Sequence, residues 1–493
     1  MSIYLPFYSS VMVYIYSPVK VLVKVINFNS VQPENHFSPE KMGSSECHIA
    51  VLAFPFTTHA APLLSLVEQL SAAFPSARFS FFNNHDSNSN LFKGRNPAAG
   101  KVKAYDVWDG TVAGEALVTH EEFIMAMPGN YQTAIAEAEA EMGTKFGCFL
   151  TDSFLWFGGD LAAERGGVPW ISFWTAGACS ISAHLYTDFV RSLVAAGPNA
   201  NGNGLEQKMK IIPGMSEISI GEMPGEILAK DLQAPFPGMI YNMALKLPSA
   251  NALVLNSFQK LEPTVTDDLR SKLQKVFNIG PMILQPATPK PPISDDHNCI
   301  PWLDSLPPAS PAVYLSFGSG ITPPPAEIVG LAEALEAKRA PFLWSLKPHG
   351  VKHLPEGFVE RTKEFGKIVP WAPQVQVLSH PVVRAFVTHC GWNSTLEAIS
   401  YGVCMICRPF YGDQKINTRF VESVWEIGVK VEGGIFTKDG TMKALNVVLD
   451  SDRGKLLKQN VVKLKGEALE AVKPNGSSTK DFQELVHLLN DSF

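Results

Sequence analysis

The chain has 493 residues, of which 46% are hydrophobic and 18% charged, and this is enough apolar material for two globular domains of ordinary composition. Its formal net charge of −6 and its lack of basic clusters argue against a nucleic acid or an anionic membrane surface as partner. Its seven cysteines, an odd number without regular spacing, indicate a reducing compartment, so we expect a cytoplasmic protein.

Residues 1–46 precede the first segment that has the pattern of a buried core. Residues 1–27 are rich in Tyr, Val and Ile, but two prolines and two lysines interrupt them. A membrane span requires about 18–20 uninterrupted apolar residues, and a signal peptide requires a basic start and a cleavage site of small residues. We therefore expect an N-terminal extension that is disordered and does not insert into a membrane.

The first predicted strand is the apolar run from His48 to Phe54. A turn containing His59 follows, and a helix with its apolar positions toward the core is predicted to begin near Pro62. His59 should therefore lie at the carboxyl end of a strand, where open parallel sheets bind their ligands. A lone histidine in such a turn is more often a cap or a surface group than a catalytic residue.

A second buried strand, predicted over residues 148–151, ends at Asp152. A carboxylate close to a histidine can fix the imidazole tautomer and stabilise the imidazolium that forms when the ring takes a proton. Asp152 can equally be the N-cap of a helix predicted over residues 154–164. The residues alone leave both interpretations open.

A proline-rich stretch that begins at Gln285 marks the predicted domain boundary, because its prolines exclude a helix or a central strand. No set of residues in the chain has the spacing of metal ligands. We predict an N-terminal domain over residues 47–285, a linker over 286–300 and a C-terminal domain over 301–493.

Several apolar strands predicted in the C-terminal half end in polar or glycine-rich residues. Because the carboxyl ends of parallel strands meet at one edge of a sheet, these strand ends should lie close together. The strands are predicted over residues 313–316, 342–345, 368–371, 386–389 and 403–407.

The segment after the fourth of these strands predicts a tight turn through Gly391 and a helix that opens at Asn393 and Ser394. The unpaired N–H groups and the positive dipole end of a helix hold a diphosphate without a metal ion, and Gly391 removes a Cβ that would keep the backbone from it. Two ordinary interpretations compete. Ser394 and Glu397 match a capping box, and a tryptophan such as Trp371 is more often a wedge in the core than a platform for a base.

The segment from Trp371 to Gln414 resembles the signature box of the plant family 1 UDP-dependent glycosyltransferases, from Trp-Ala-Pro-Gln through His-Cys-Gly-Trp-Asn-Ser to the closing Asp-Gln. The likeness extends from His48 to the C-terminus. It points to the flavonoid 3-O-glucosyltransferases through four further stretches: Phe-Pro-Phe-Thr-Thr-His-Ala-Ala-Pro from Phe54, Phe-Trp-Thr-Ala-Gly from Phe173, Thr-Pro-Pro-Pro-Ala-Glu from Thr322 and Glu-Ile-Gly-Val-Lys-Val-Glu-Gly-Gly from Glu426.

The resemblance implies a GT-B fold, in which two Rossmann-like α/β domains face each other across a cleft and the last helix packs back on the N-terminal domain. It implies that the C-terminal domain holds UDP-glucose as a co-substrate and that no cofactor or metal ion is required. The implied donor site comprises Trp371, Ala372, Gln374 and Glu397 for the uridine, Ser319, His389, Asn393 and Ser394 for the diphosphate, and Thr175, Trp392, Asp413 and Gln414 for the sugar.

The resemblance also implies that His59 is the base and Asp152 its partner in an inverting transfer of glucose to a flavonoid, with the 3-hydroxyl expected. Glutamine at the position of Gln414 usually accompanies UDP-glucose in this family, whereas histidine often accompanies UDP-galactose. UDP-galactose, another phenolic acceptor and an inactive nucleotide-sugar binding protein are the alternatives. A dinucleotide-dependent oxidoreductase is disfavoured, because residues 318–320 lack the full Gly-x-Gly-x-x-Gly fingerprint.

Phe54, Phe154 and Tyr411 are predicted to line an aromatic pocket for a flat phenolic acceptor. His184 lies in the helix predicted after residues 173–177 and matches a family position that touches the acceptor. Its alternative is a solvated helix histidine. We expect a monomer whose ligands are a flavonoid and a UDP-sugar.

Overall fold

The structure, a computed structural model, describes residues 47–55, 57–93, 100–112, 115–116, 118–196, 203–285, 294–308 and 310–491. The predicted N-terminal extension over residues 1–46 lies outside the described residues, and so do residues 286–293 of the predicted linker. Within the described ranges, no helix has both the length and the apolar character needed to cross a membrane.

The first sheet has seven parallel strands. Ala50 and Leu52 belong to one apolar cluster, whereas the alternating Ile49 and Val51 belong to another, so both faces of the sheet are buried and its strands are continuous apolar runs. The strands of this half are β1 (Cys47–Leu52), β2 (Ala77–Asn83), β3 (Val102–Asp106), a short antiparallel pair β4 (Thr111–Val112) and β5 (Glu115–Ala116), β6 (Cys148–Asp152), β7 (Trp170–Trp174), β8 (Ala252–Leu255) and β9 (Val276–Asn278). The order across the sheet is β3-β2-β1-β6-β7-β8-β9.

The second sheet has six strands, which also pair in parallel. They are β10 (Ala312–Ser316), β11 (Phe342–Ser345), β12 (Gly366–Val369), β13 (Val383–Thr388), β14 (Cys404–Cys407) and β15 (Gly428–Lys430), in the order β12-β11-β10-β13-β14-β15. All seven cysteines are free and buried, including the two in β14. The predicted pair of Rossmann-like domains is confirmed.

Helices connect the strands and cover both sheets. In the first half they are α1 (Thr57–Ala73), α2 (His85–Phe92), α3 (His120–Met142), α4 (Gly158–Glu164), α5 (Ala178–Leu185), α6 (Thr187–Ala196), α7 (Pro235–Lys246) and α8 (Pro263–Lys272). In the second half they are α9 (Cys299–Asp304), α10 (Pro325–Lys338), α11 (Pro348–Val351), α12 (Phe358–Thr362), α13 (Gln374–Ser379), α14 (Trp392–Tyr401), α15 (Gln414–Arg419), α16 (Lys438–Asp450), α17 (Asp452–Ala471) and α18 (Ser477–Asn490).

In each sheet the strand order reverses between two neighbouring strands, β1 and β6 in the first sheet and β10 and β13 in the second. The connections that follow such a pair leave in opposite directions and open a crevice, which is where α/β sheets bind ligands. Leu52 pairs with Thr151, and Ser316 pairs with Thr388. One crevice therefore opens beyond each of these two pairs.

Two tryptophans of the second half are bonded to the first half through their indole N–H groups. Trp392 donates to the carbonyl of Asn256 over 2.9 Å, and Trp425 donates to the carbonyl of Leu261 over 3.1 Å. The last helix, α18, also crosses to the first half, where it packs against β9, and its Leu485 is buried with residues of β1. Each indole bond satisfies a polar group that burial would otherwise leave unpaired.

The predicted boundaries near the first crevice differ from the structure. β1 ends at Leu52, two residues early, and α1 begins at Thr57 instead of near Pro62, so His59 lies in the first turn of a helix. A proline is tolerated there because it removes one helical hydrogen bond close to the start, where few exist. The helix predicted from residue 154 begins only at Gly158.

Candidate active site

His59 and Asp152 are hydrogen-bonded partners at the first crevice. The imidazole Nδ1 lies 2.8 Å from one carboxylate oxygen of Asp152, whose side chain is 1% exposed. The other carboxylate oxygen accepts the backbone N–H of Phe154 over 2.9 Å, and the hydroxyl of Thr175 lies 3.1 Å from the same imidazole nitrogen. Because the carboxylate only accepts hydrogen bonds, Nδ1 carries the proton and Nε2 is left to take another.

The interpretation of Asp152 as a helix N-cap is wrong. Helix α4 begins at Gly158 and its N-cap position is Phe157, which makes no side-chain capping bond. The residues between Asp152 and that helix form turns, so the helix pattern predicted from residue 154 was extended too far toward the strand. Asp152 instead accepts hydrogen bonds from the backbone N–H of Phe154 in the turn and from the imidazole of His59.

Aromatic rings surround the imidazole of His59. Its ring centroid lies 5.3 Å from that of Phe54 and 4.7 Å from that of Phe154, as the predicted pocket requires. Phe154 also contacts Trp174 at 5.6 Å and Phe236 at 6.2 Å, two rings that the sequence reasoning missed. Trp174 stands inside a stretch that carried the resemblance, whereas Phe236, at the start of α7, gave no signal.

His184 lies deeper along the same row of rings. It is 3% exposed and its ring contacts that of Trp174 at 5.8 Å, so its interpretation as a solvated helix histidine is wrong. Burial lowers the pKa of His184 to about 3, and the imidazole is therefore neutral at physiological pH.

Tyr411 is placed apart from these rings, on the loop that follows β14. It is 60% exposed, and its hydroxyl lies 3.3 Å from the position that a Cβ on Gly320 would take. Gly320 follows β10, so Tyr411 borders the second crevice. A pattern of aromatic residues in the sequence does not distinguish the two crevices.

Trp371 and Gln374 lie beyond the end of β12. Trp371 is 48% exposed, so the interpretation of this tryptophan as a wedge in the core is wrong, and the ring offers an open face. Ala372 beside it is buried. Gln374 donates to Glu397 over 2.7 Å and to the hydroxyl of Ser394 over 3.0 Å.

The capping box predicted from Ser394 and Glu397 is wrong as well. Helix α14 begins at Trp392 with Gly391 at its N-cap position, so Ser394 lies inside the helix and faces Gln374. Desolvation raises the pKa of Glu397 to about 7, and the hydrogen bond from Gln374 opposes that rise. A desolvated carboxylate at this place suits a pair of ribose hydroxyls, which it can bind as an acceptor.

His389 lies between two glycines at the second crevice. A Cβ on Gly391 would stand 2.5 Å from the imidazole Nε2, and a Cβ on Gly318 would stand 3.1 Å from the ring. Gly391 is thus required for the imidazole itself, a reason that the sequence did not indicate. Cys390, between His389 and Gly391, has a left-handed backbone with φ of 63°, a strained conformation common at active sites.

The imidazole of His389 is desolvated, which lowers its pKa to about 4, and its Nδ1 has no hydrogen-bond partner among the described residues. It is therefore a neutral ring beside the open N-terminus of α14. The exposed Ser319 borders the same space, and Lys347 donates to its carbonyl. Lys347 adds a cation that was not predicted from the sequence, although it lies only two residues after a predicted strand.

Two of the four predicted sugar residues, Asp413 and Gln414, lie at the start of α15. Desolvation raises the pKa of Asp413 to about 6, while its hydrogen bond from Asn417 and the charge of His59 act in the opposite direction. The Asn417 amide donates to Asp413 over 2.7 Å. Gln414 is buried, and its amide oxygen accepts the backbone N–H of Phe410 over 2.8 Å. Only the amide nitrogen of Gln414 is left to donate to a ligand.

Trp392 and Asn393 have partners across the cleft. The indole N–H of Trp392 donates to the carbonyl of Asn256 in the first half, so that group is not available to a sugar hydroxyl, whereas the backbone N–H at the start of α14 is. The amide of Asn393 donates over 3.3 Å to the carbonyl of Thr58, four residues before Pro62. Because a proline has no N–H, that carbonyl has no helical partner, and Asn393 supplies one.

Among the side chains that the structure describes, no group of three or more His, Cys, Asp and Glu is placed to hold a metal ion.

Comparison with known proteins agrees with this arrangement. Residues 308–470 match the family described as UDP-glucoronosyl and UDP-glucosyl transferase. A flavonol 3-O-glucosyltransferase of Actinidia chinensis var. chinensis is 47% identical over 454 residues, which cover 90% of this chain and 97% of that protein. An anthocyanidin 3-O-galactosyltransferase of the same plant is 46% identical over 454 residues, with 90% and 98% covered.

A solved structure is also similar along nearly the whole chain. The crystal structure of a UDP-glucose: anthocyanidin 3-O-glucosyltransferase in complex with UDP has a TM-score of 0.84 and 36% sequence identity, and it covers 91% of this chain and 100% of that chain. The predicted GT-B architecture is thereby confirmed. The chain belongs to the UDP-glucoronosyl and UDP-glucosyl transferase family and is a UDP-glycosyltransferase.

Proposed function

We propose that this enzyme transfers glucose from UDP-glucose to the 3-hydroxyl of a flavonoid, a flavonol or an anthocyanidin, with inversion at the anomeric carbon. The observation that carries the proposal is the His59–Asp152 pair, which has a bond of 2.8 Å and is ringed by Phe54 and Phe154. Flat aromatic walls around a base suit a flat phenolic acceptor. The similarity to a flavonol 3-O-glucosyltransferase and an anthocyanidin 3-O-galactosyltransferase supports the same class of acceptor.

In the proposed reaction, Nε2 of His59 removes the proton of the acceptor hydroxyl. The acceptor oxygen forms a bond to the anomeric carbon from the face opposite the diphosphate, while the bond from that carbon to the phosphate oxygen breaks. Asp152 stabilises the imidazolium that results. A base in this position contributes about 10²–10⁴-fold to the rate.

UDP is proposed to leave onto the N-terminus of α14. Backbone N–H groups there, with neutral His389 and Ser319, stabilise the negative charge that grows on the leaving group. Trp371 is proposed to stack on the uracil ring, since it is half exposed. Glu397 is proposed to bind the ribose hydroxyls. No step of this scheme uses a metal ion, so EDTA is expected to leave turnover unchanged.

Glucose is proposed as the preferred sugar, with galactose as the alternative that the similarity to an anthocyanidin 3-O-galactosyltransferase supports. The two sugars differ in the orientation of the 4-hydroxyl, so hydrogen bonds along one edge of the ring must separate them. Asp413 can accept on that edge, and the amide nitrogen of Gln414 can donate. The backbone N–H groups of Phe410 and Tyr411 fix the orientation of the Gln414 amide. Its nitrogen can therefore donate in one direction only, which supports discrimination between the two orientations of the 4-hydroxyl.

Incubation of the full chain with UDP-glucose or UDP-galactose and a panel of flavonols tests the proposal, with UDP release and product mass as readouts. We expect release that depends on acceptor, a product carrying one hexose at the 3-position, and faster turnover with UDP-glucose. UDP release without a glycosylated flavonol, or no release with any flavonol, would overturn the flavonoid assignment. An inactive nucleotide-sugar binding protein would bind UDP-glucose but would not convert it to UDP.

A further inference from the structure

An ion pair between Arg419 and Glu222 bonds α15 to the first half of the molecule. Nε of Arg419 donates to Oε1 of Glu222 over 2.9 Å, and Nη2 donates to the same oxygen over 2.5 Å. The two side chains are 29% and 14% exposed, so water screens the pair only in part. Arg419 is the last residue of α15, and Glu222 lies 197 positions earlier, in the first half. The pair is therefore a direct contact between the two halves.

The first-half side of this contact is fixed by its own turn. A short 3₁₀ helix over Ile220–Glu222 begins with a capping box, in which Oε2 of Glu222 accepts the backbone N–H of Ser219 over 3.0 Å and its hydroxyl over 2.9 Å. The side chain of Ile220 is buried. Burial opposes ionisation of Glu222, but the hydrogen bonds from Arg419 and Ser219 outweigh it and lower the pKa of the carboxyl group. Glu222 is therefore a charged and immobile partner at physiological pH.

The second-half side of the contact extends beyond Arg419. Lys415, one helical turn earlier on the same face, donates to the carbonyl of Gly221 over 3.3 Å. A π-helical turn over Phe420–Val424 continues α15, and Trp425 directly after it donates its indole N–H to the first half. Three contacts therefore hold the residues from 415 to 425 against the first half.

The other end of α15 carries two of the proposed sugar residues. Asp413 is at the N-cap position of this helix of 6 residues and Gln414 is its first residue, whereas Arg419 is its last. The base His59 belongs to the first half. Because a short helix is a rigid rod, a contact at Arg419 fixes where Asp413 and Gln414 stand relative to His59. An error of about 1 Å in such a position can cost about 10²-fold in rate.

Acidic groups of the first half oppose this arrangement. Burial raises the pKa of Glu226 and of Glu262, and the charge of Asp413 adds to both rises, so Asp413 lies within electrostatic reach of these two carboxylates. Like charges on the two sides of the cleft repel each other. The guanidinium of Arg419 brings the opposite charge to the first half, and its pair with Glu222 offsets that repulsion.

We infer that Arg419 and Glu222 are positioning residues for the transfer, whose ion pair holds α15 so that the anomeric carbon of the donor faces the acceptor hydroxyl at His59. Neither side chain is required to touch the sugar or the nucleotide. The inference rests on the proposed function, because it takes Asp413 and Gln414 to bind the sugar. It predicts a loss of kcat without a loss of nucleotide affinity.

The test is a double-mutant cycle on Glu222→Gln and Arg419→Gln, with UDP-glucose and a flavonol that wild type glycosylates. Glu222→Gln keeps an amide oxygen for Ser219, so the capping box survives while the charge is lost. Each single variant should lower kcat about tenfold, with KM for UDP-glucose and inhibition by UDP within about twofold of wild type. The double variant should lose no more than either single one, because the pair is already broken.

Glu422→Gln is the matched control. Glu422 lies 3.7 Å from the same guanidinium, but it belongs to the same half as Arg419. This variant should keep the wild-type kcat. Thermal unfolding of every variant shows whether a lower kcat reflects unfolded protein. Arg419→Lys, which keeps the cation, should lose less than Arg419→Gln and replaces it in the comparison if Arg419→Gln does not fold.

Unchanged kcat in Glu222→Gln would overturn the inference, and so would independent losses that multiply to about 100-fold in the double variant. A raised KM for UDP-glucose with unchanged kcat would overturn it in favour of a binding role, and a joint loss of stability and UDP affinity in favour of a structural role. Inactivity of wild type on every flavonol would refute the proposed function itself, whereas an active wild type with unaffected variants would overturn only the inference.

Discussion

Arg408 and Glu327 form a buried ion pair in which two guanidinium nitrogens donate to the two carboxylate oxygens. Nε donates to Oε2 over 2.9 Å, and Nη2 donates to Oε1 over a shorter distance. Arg408 begins the loop that ends at Asp413 and Gln414. Glu327 closes the Thr-Pro-Pro-Pro-Ala-Glu stretch and also accepts the backbone N–H of Phe436 over 3.0 Å. The pair therefore holds the proposed sugar loop against α10.

Removal of one partner of this pair should impair the sugar site and leave the nucleotide site intact. Glu327→Gln is expected to raise KM for UDP-glucose about tenfold, the cost of one lost charge-assisted bond, while inhibition by UDP changes little. Glu327→Ala should also lower the free energy of unfolding by about 3–5 kcal/mol, since it leaves a buried charge unpaired. Steady-state kinetics and denaturant unfolding measure the two effects.

Glu336→Ala is the control for this prediction. Glu336 lies in the same helix and pairs with Arg361 at the surface, where an ion pair contributes about 0–1 kcal/mol. Its loss should change neither KM nor stability appreciably. Equal effects of Glu327→Gln on UDP and UDP-glucose would show that the pair supports the whole domain and has no particular role at the sugar loop.

The second prediction concerns the base. His59→Ala should lower kcat by about 10²-fold or more and leave the affinity for UDP nearly unchanged, because the nucleotide is proposed to bind to the other half of the molecule. Asp152→Asn should also lower kcat, since it removes the charge that stabilises the imidazolium. UDP affinity is measured by calorimetry and turnover by product formation.

A matched histidine–carboxylate pair exists at the surface. His85 Nδ1 lies 2.7 Å from Asp106, but both side chains are more than half exposed. His85→Ala should leave kcat unchanged. Wild-type turnover in pure His59→Ala protein would contradict the proposed mechanism.

The third prediction concerns sugar choice. Gln414→His removes an amide whose oxygen accepts from the backbone N–H groups of Phe410 and Tyr411 and whose nitrogen is proposed to donate to the sugar. The geometry of the loop should therefore change together with the hydrogen bond to the sugar. We expect kcat/KM to shift from UDP-glucose toward UDP-galactose. Asp413→Ala should reduce kcat/KM with both sugars by roughly 10–100-fold, the cost of about 1–3 kcal/mol for unpaired sugar hydroxyls.

Both donors are assayed with one flavonol at a fixed concentration. A wild type that prefers UDP-galactose would contradict the assignment of glucose, although the glycosyltransferase activity would stand. An unchanged donor ratio in Gln414→His would remove Gln414 from the set of residues that distinguish the two sugars.

The fourth prediction concerns the turn between β13 and α14. Gly391→Ala should weaken inhibition by UDP, because the added Cβ would stand 2.5 Å from Nε2 of His389 and displace the ring. Gly466→Ala is the control: no atom lies within 4 Å of the new Cβ, and alanine in a helix interior is favoured over glycine by about 0.5–1 kcal/mol. That variant should be slightly more stable and bind UDP as wild type does. Unaltered UDP inhibition in Gly391→Ala would show that His389 moves without loss.

Local pattern and motif spacing determined much of this protein. Buried strands are visible as continuous apolar runs, and the carboxyl ends of parallel strands place polar residues on one edge whatever the details of packing. His59 and His389 could be placed at two such edges for that reason. The signature segment from Trp371 to Gln414 identified the family from its residues alone.

Tertiary structure decided every choice that depended on a partner distant in sequence. Ser394 and Glu397 match a local capping pattern, yet α14 begins at Trp392, so Ser394 lies inside the helix and Gln374 donates to both side chains. Trp392 lies in the signature, but the carbonyl of Asn256 occupies its indole. Such contacts join residues that local pattern cannot pair.

The same limit explains why Phe236 gave no signal in the sequence. It lies 82 positions from Phe154, and only the ring contact at 6.2 Å brings it to the first crevice. The sequence by itself determined which strands and turns carry the chemistry. Only the packing of the two halves decided which side chains meet, because burial and hydrogen-bond geometry depend on neighbours that the chain brings together from far apart.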